Sequence, residues 1–584
     1  MNHSFYSEQV ISGMSWAAFE RLVLRILMSK GYVQCSVVGQ SGDGGADVLG
    51  ILNHKRYLFQ VKALSTPVSD KVIAETLSAL QKYEADIPVI VSKNGFTNEA
   101  LDKQASLIKE GVRLQLWDRT AIRQQGDLLD SDVLIKKKSF RPYQETAIEN
   151  IVSSHLRASS GSALVVLATG LGKTFVAAEA ISRLRKPSQK VLVLAHTIDL
   201  VLQLEKAFWP FLNKFEPTAI LTGTDRPTQL GELVNYPYVF ATRDSFAAIQ
   251  TTDAELPRFD YVVVDECHHL GADVYERVLD SLEVGRVGGP FLLGLTATPW
   301  RPNGEKLDHR FDDPVISVDL TKGLQEGYLS NVDYRIYTTN IDWKRITTHV
   351  GETVSPKEMN RTLFISEWDD EVVNSVATAW RELGDRARGI IFCGTIDHAV
   401  KMAQRINALG FTRAAAIYSG GKSELNPGIS AVTRNKMLWD FSDGRLGIIC
   451  AVDILNEGVD VPDVNLVVFQ RVTHSRRIFT QQLGRGLRLA EGKEKVIVLD
   501  FVTDVRRFAA GLALERDLAP SHKATKGIKQ IKYNSKVTFM RHNTEDQAGH
   551  SFLKEWLKDL DEIENAGDDV SILKFPNLKL PGIE

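Results

Sequence analysis

Apolar and polar positions divide the chain into stretches of different periodicity. In WAAFERLVLRILMSKGY apolar residues recur at helical spacing, with Trp16, Phe19, Val23, Ile26 and Leu27 on one stripe. Beyond it, YLFQVKAL, IPVIVS and VRLQLWD are β-branched or aromatic runs of strand length. Residues 14–125 therefore predict helix, strand, strand, helix, strand, helix, strand. From Arg141 onward, continuous apolar runs alternate with amphipathic segments: ALVVLA, KVLVLAH, YVFAT, YVVVDE and FLLGLTAT. Strands apolar on both faces belong in parallel sheets covered by helices. After a polar middle region the pattern returns in GIIFC, AAAIYS, LGIICAV, LVVFQ and KVIVLDF. Two parallel α/β domains in tandem are predicted.

The expected division is an N-terminal α/β domain over 1–125, a linker over 126–139, two parallel-sheet lobes over 140–335 and 336–510, and a C-terminal extension over 511–584. The linker's Lys136, Lys137 and Lys138 are either a phosphate contact or, the preferred reading, a solvated charge run. Between Leu518 and Asn543 stand six cations, Lys523, Lys526, Lys529, Lys532, Lys536 and Arg541, and no acid. That segment is either a nucleic-acid contact or a solvated edge. An acidic amphipathic segment, SFLKEWLKDLDEIENA, follows it.

Composition changes this picture in three places. A chain of 584 residues exceeds what one core supports, in keeping with several domains. Its net charge of −3 gives no global basic field, so any nucleic-acid contact must come from local patches. Cys35, Cys267, Cys393 and Cys450 are scattered without a C-x-x-C pair. This argues against structural zinc, iron–sulfur ligation and a disulfide framework, and fits a reducing cytosol. The N-terminal MNHSFYSEQVISGMSW lacks signal-peptide character, and no apolar run approaches the ~20 residues that cross a bilayer. A cytoplasmic protein without membrane contact is expected.

Candidate chemistry begins at LATGLGKT, residues 167–174, a strand-to-helix turn. Its backbone at Thr169, Gly170, Leu171 and Gly172 suits an anion at a helix start, Lys173 suits the β- and γ-phosphates, and the Thr174 hydroxyl suits Mg²⁺. Leu167 stands where this pattern usually has Gly or Ala. YVVVDECHH, residues 261–269, ends a buried strand in Asp265 and Glu266. At such a carboxyl edge Asp265 suits Mg²⁺, and Glu266 suits positioning or deprotonating the attacking water.

Over residues 140 to 505 the chain resembles superfamily 2 helicases of the DEAD/DEAH-like, restriction-enzyme motor type. FRPYQ resembles the adenine-side motif, which implies Gln144 as the base contact. DECH ends at His268, while LAHTIDLVLQ, FATRDSF and TATP resemble the strand-contacting and coupling motifs. GVDVP, with Gly458 and Asp460, and Q-x-x-G-R-x-x-R from Gln481 resemble the last two motifs. The resemblance implies two RecA-like lobes, ATP and Mg²⁺ as cofactors, and Arg485 and Arg488 reaching the γ-phosphate across the cleft.

A second polar site lies in SGDGGADVLGILNHKRYLFQVKAL, residues 41–64. It lacks Gly-Lys-Thr and enters a strand, so no helix start awaits a phosphate. Asp47 on one strand, with Gln60 and Lys62 sharing a face of the next, offers oxygen ligands beside a lysine. That is the minimal equipment for metal-assisted phosphodiester cleavage. Glu20 falls on the apolar side of the first helix, where the Asp47/Lys62 site would give its carboxylate a cation; the alternative is that it slips to the helix flank and into solvent. The segment from FERLVLRIL through SGDGGADV and QVK to VIVSKNGFTNEALDKQA resembles the Mrr-type restriction endonuclease domain of the PD-(D/E)xK fold. The resemblance implies Asp47, Gln60 and Lys62 as its D…(E/Q)xK set, with Glu20 as its helical acid. Asp47, Gln60 and Glu20 are then the implied metal ligands. NYPY, residues 235–238, looks like an adenine-methyltransferase loop but has no glycine-rich partner, and is read as structural.

The leading expectation is an ATP-driven DNA helicase or translocase with its own Mg²⁺-dependent nuclease, acting against foreign DNA. A protein partner would supply target selection, because no recognition domain is visible. Two other readings stand beside it. One is a repair helicase whose N-terminal domain grips DNA without cutting. The other is an ATP-gated clamp or recruitment protein.

Overall fold

The computed structural model describes residues 4–39, 45–129, 139–156, 161–223, 225–227, 230–250, 256–270, 273–286, 288–297, 307, 310–337, 353–354, 369–418, 428–452, 464–470, 489, 493, 495–501, 530–533, 537–542 and 573–574. Gly458, Asp460, Gln481, Arg485, Arg488 and Lys136–Lys138 lie outside them. The fold is α/β, and its residues group into two bodies. The first holds residues 1–167, 172–317 and 430–439, and the second 168–171, 318–429 and 440–584.

The first body opens with α1 (Glu8–Gly13) and α2 (Trp16–Ser29). The Ser15 hydroxyl starts α2 by accepting from the Ala18 amide at 3.1 Å. A five-stranded sheet follows: β1 (Val33–Val37), β2 (Val48–Leu52), β3 (Lys55–Lys62), β4 (Ile87–Ser92) and β5 (Gln115–Trp117), in spatial order. β1, β2 and β3 run antiparallel, and β3, β4 and β5 parallel. Asn53 and His54, both left-handed at φ 49° and 60°, make the two-residue β2–β3 turn. Helices α3 (Asp70–Tyr83) and α4 (Asn98–Lys109) make the parallel crossovers, and α5 (Arg119–Asp127) ends the domain.

Trp16 is 54% exposed and does not join the stripe expected of it. Instead α2 is buried on nearly every side from Phe19 to Leu27, arginines included. The reason lies in the segment that follows. There, α6 (Pro142–Leu156), β6 (Ser162–Leu167), α7 (Lys173–Leu184), β7 (Val191–Ala195) and α8 (Ile198–Phe208) lead into β8 (Thr218–Leu221). Arg21 Nε lies 2.9 Å from Glu205 Oε2 of α8, and its Nη1 pairs with Asp225. Arg25 donates to the Glu216 and Asn213 carbonyls at 2.9 and 3.0 Å. One helix therefore packs on its own sheet and on the next one. Arg21→Met should leave two buried carboxylates without their cation, at a cost of about 3–5 kcal/mol. Limited proteolysis and the first thermal transition would register it, and an unchanged transition would refute this role.

The second sheet is completed by β9 (Tyr238–Thr242), β10 (Tyr261–Asp265), β11 (Phe291–Thr296) and β12 (Ile316–Val318), in the order β12-β6-β11-β10-β7-β9-β8. Its registered pairs are parallel, and the central strands are apolar on both faces, as the continuous runs predict. Tyr238 of NYPY is the buried first residue of β9, with its ring under the Arg185 guanidinium at 4.9 Å. Trp439 also belongs to this body, its ring 3.7 Å from the Arg56 guanidinium of β3.

The second body is built on an eight-stranded sheet. Its order is Ala414–Tyr418, Ile448–Val452, Gly389–Cys393, Leu466–Gln470, Lys495–Phe501, Asn331–Tyr337, Val537–His542, Gln530–Tyr533. All neighbours are parallel except the last two. Part of the C-terminal basic stretch, holding Lys532 and Arg541, thus lies on the two antiparallel strands at the edge of this sheet. Lys523, Lys526, Lys529 and Lys536 lie outside the described residues. Among the described residues no helix is long and apolar enough to cross a membrane.

Candidate active sites

The nucleotide loop sits between β6 and α7. Gly170 and Gly172 have φ of +93° and +83°, which favour glycine. A Cβ on Gly172 would stand 2.6 Å from Gln144 Nε2. The Gln144 carbonyl accepts from the Arg141 amide at 2.9 Å, which turns Nε2 toward the loop. Leu167, the departure from the usual pattern, is fully buried at the end of β6, so its side chain serves the core. Leu171 is buried too and offers only backbone, while Thr169 and Thr174 are half-buried.

Parallel pairing of β10 between β7 and β11 brings the acids to the same edge. Lys173 Nζ, on the first residue of α7, lies 3.1 Å from Glu266 Oε1. Glu266 is itself left-handed, at φ 49°, a costly conformation for a side-chain-bearing residue. His268 Nδ1 lies 3.2 Å from Glu266 Oε2 and 3.0 Å from the Thr296 hydroxyl at the end of β11. Burial alone would raise Glu266, yet Lys173 and His268 hold its carboxyl below the usual carboxylate range. Burial, then the Glu266 charge, raises Asp265. Asp265 Oδ1 is buried without a hydrogen-bond partner among the described residues. An acceptor left in that state, one residue before the Glu266 that pairs with Lys173, fits a hydrated divalent cation.

Thr296 was legible only as part of TATP, and its contact with His268 is a product of the β10–β11 register. Thr296→Val should release the imidazole and slow ATP hydrolysis about tenfold, the effect of one buried hydrogen bond of ~1–1.5 kcal/mol. Steady-state hydrolysis measures it, and an unchanged kcat would rule the contact out.

In the N-terminal sheet, the Asp47 amide extends the β2–β3 pairing by donating to the Phe59 carbonyl at 2.9 Å. Asp47 Oδ2 accepts from the Val61 amide at 2.6 Å, so the carboxylate is held against β3 between Gln60 and Lys62. Gln60 is fully buried. In one orientation of its amide Gln60 Nε2 donates to Glu75 Oε2 at 3.3 Å; the Thr76 hydroxyl, which donates to the Val72 carbonyl at 2.8 Å, favours the reverse orientation, with the amide nitrogen toward Thr76. With the amide so turned, Gln60 Oε1 accepts from Lys62 Nζ at 3.0 Å. Gln60 and Lys62 thus meet on one face.

Glu20, 4% exposed, lies on the inward side of α2. Its carboxylate oxygens stand 2.8 and 2.9 Å from where a Cβ on Gly39 would be, and the Gly39 amide donates to the Asp47 carbonyl at 3.2 Å. The helical acid therefore reaches the strand neighbourhood of Asp47. Among the described residues no three His, Cys, Asp or Glu side chains converge as a metal cluster. The oxygen donors at this site are carboxylate and amide together, a hard set that suits a divalent cation.

Fold and loops define a helicase-type ATPase joined to a restriction-endonuclease-type domain, and comparison with known proteins agrees. Residues 11–125 match the restriction endonuclease family, 137–301 the type III restriction enzyme res subunit family, and 372–490 the helicase conserved C-terminal domain. The chain thus carries a restriction-endonuclease-type region followed by a restriction-enzyme motor region and a helicase C-terminal region, in that order. It is 25% identical to the Schizosaccharomyces pombe putative mitochondrial ATP-dependent helicase irc3, across 73% of this chain and 68% of that one. It is 25% identical to the Escherichia coli type I restriction enzyme EcoAI endonuclease subunit, across 73% of this chain and 56% of that one. With the DNA 3'-5' translocase XPB2 of Sulfurisphaera tokodaii it shares 27% identity over 63% of this chain and 83% of that one. The fold matches the ATP-dependent type ISP restriction-modification enzyme LlaBIII bound to DNA, with TM-score 0.51 at 17% identity, covering 94% of this chain and 42% of that one.

Proposed function

We propose that the chain is an ATP-driven DNA translocase or helicase that cleaves DNA with a Mg²⁺-dependent N-terminal nuclease, in restriction of foreign DNA. The observation that supports this most directly is the presence of two separate sets of oxygen donors beside lysines in one chain. One is Asp265 and Glu266 with Lys173, the other Asp47 and Gln60 with Lys62. In the motor, an incoming triphosphate competes with Glu266 for Lys173, and the released carboxylate, steered by His268, is placed to orient water. In the nuclease, Lys62 is placed to stabilise charge developing on the scissile phosphate, and Asp47 is fixed to the strand by its backbone bond. A divalent ion at each site would supply charge neutralisation and a more acidic bound water. Asp47, Gln60 and Glu20 would hold it in the nuclease, and Thr174 and Asp265 in the motor. Gln144 and the loop from Thr169 to Gly172 are assigned to nucleotide. His268, Gly458, Asp460 and Gln481 are assigned to nucleotide binding as well, and Arg485 and Arg488 to the γ-phosphate.

Domain limits at 125, 139, 335 and 510 follow from the same reading. Motor contacts with phosphates give no sequence selectivity, so target choice is assigned to a protein partner. Supercoiled plasmid with Mg²⁺, with and without ATP, tests the whole. Nicking or linearisation together with DNA-stimulated ATP hydrolysis is expected. ATP-driven strand displacement without cleavage in Mg²⁺ or Mn²⁺ would favour the non-cutting repair helicase.

A further inference from the structure

A helix from far along the chain lies on the nuclease domain. In AVTRNKMLWDFSD, the helix Ala431–Asp443, residues Val432, Asn435, Lys436 and Trp439 recur at three- and four-residue intervals and so share one face. The Ser430 hydroxyl starts the helix by accepting from the Thr433 amide at 3.1 Å. Trp439, 3% exposed, clusters with Leu49, Ile51 and Leu58 of the sheet and with Tyr83 of α3, and Val432 packs against the same cluster. The Trp439 ring covers the Arg56 guanidinium, itself fully buried. Lys436 Nζ lies 3.2 Å from Glu84 Oε1, just past the end of α3.

The fourth residue of this face reaches the backbone beside Asp47. Asn435 Nδ2 donates to the Val38 carbonyl at 3.3 Å, across 397 positions of sequence. The Gly39 amide donates to the Asp47 carbonyl at 3.2 Å, and the Val38 amide donates to the same oxygen at 2.8 Å. The Val38 carbonyl and the Gly39 amide belong to one planar peptide group. A single rigid unit therefore links Asn435 to the Asp47 backbone. It lies just past the registered pairs of β1 and β2, which end at Val37 and Val48. The Glu20 carboxylate fills the space beside Gly39, so this short stretch borders both acids of the site.

We propose that this helix braces the nuclease site, with Asn435 a positioning residue that fixes Asp47 through the 38–39 peptide. This rests on the nuclease reading above. Asp47 is then held at its carboxylate by the Val61 amide of β3 and at its backbone by a peptide that the helix secures. Residues 430–439 belong to the first body, and the same helix passes at Asp440 into the second. The element that steadies the nuclease's acid is thus part of the motor half of the sequence, and cutting depends on that half being folded.

The test uses the full chain: plasmid cleavage in Mg²⁺, ATP hydrolysis beside it, and amide hydrogen exchange at Asp47. Asn435→Asp keeps the shape of the side chain, removes the donor and sets an acceptor against the Val38 carbonyl. It should lower kcat for cleavage about tenfold at unchanged KM for DNA, speed exchange at the Asp47 amide and leave ATP hydrolysis unchanged. Trp439→Phe, which keeps a ring over Arg56, should cleave within about twofold of the wild type, whereas Trp439→Ala should lose at least as much as Asn435→Asp. Wild-type cleavage in Asn435→Asp, with Asp47→Asn still abolishing it, overturns the brace and leaves the nuclease reading intact. Unchanged exchange at Asp47 in Asn435→Asp overturns the brace whatever the cleavage rate, as does a parallel loss of ATP hydrolysis. Absence of any Asp47-dependent cleavage by the wild type, in Mg²⁺ or Mn²⁺, overturns the nuclease reading itself.

Discussion

Lys173→Ala should reduce ATP hydrolysis on the order of 10³-fold while plasmid nicking that needs only Mg²⁺ persists. The ammonium is 3.1 Å from Glu266 and within the field of Asp265, so its removal acts twice. It withdraws the cation that would meet the phosphates, and it strands two adjoining buried carboxylates. The second effect has a pH signature. Glu266 is held low in the folded chain, so its contribution to stability is present above the unfolded value of about 4.3 and lost as pH falls. The stability deficit of Lys173→Ala should therefore be largest near neutrality and shrink below about pH 4. Thermal unfolding at two pH values separates that deficit from the kinetic loss. A variant that hydrolyses ATP at wild-type rate would remove Lys173 from the motor.

Asp47→Asn should abolish cleavage, by about 10³-fold or more, and leave DNA-stimulated ATP hydrolysis untouched. Asparagine is the informative replacement because its carbonyl keeps the bond from the Val61 amide, 2.6 Å long in the native chain, and removes only charge. Asp47→Ala strands that buried amide as well, adding about 1–3 kcal/mol of destabilisation. Equal losses of cleavage in both, with the thermal shift confined to alanine, would assign the effect to chemistry. Cleavage retained in Asp47→Asn would mean that the carboxylate has a structural task only.

The parallel strands were legible because burial on both faces leaves continuous apolar runs, as in YVVVD and GIIFC. β1 was not. Its VQCSV is half exposed and bulged between Val33 and Ser36, which destroys the period-two signal. Asn331–Tyr337 lacks the continuous apolar run of its neighbours, and α5 has almost no apolar stripe, so both escaped a reading based on such runs. LATGLGKT and the D…QxK spacing stand out in the sequence because their residues are close together or share a strand face. The pairing of Thr296 with His268 does not, since only the register of β11 on β10 makes that contact. Arg21 illustrates a different limit. A charged residue on an amphipathic helix reads as solvated until the acidic partner, some two hundred positions away, is folded against it.

That two-sided burial of α2 bears on how the molecule can be dissected. Severing the chain near residue 130 to obtain the ATPase by itself would bare Glu205 and Asp225 and uncover Trp209, which lines the same joint. The fragment would inherit a sticky, acid-rich scar, and its poor behaviour would say little about the ATPase. Neutralising the scar with Glu205→Gln and Asp225→Asn is the way to a well-behaved piece. The intact chain with a silenced Asp47 remains the sounder reference for the motor.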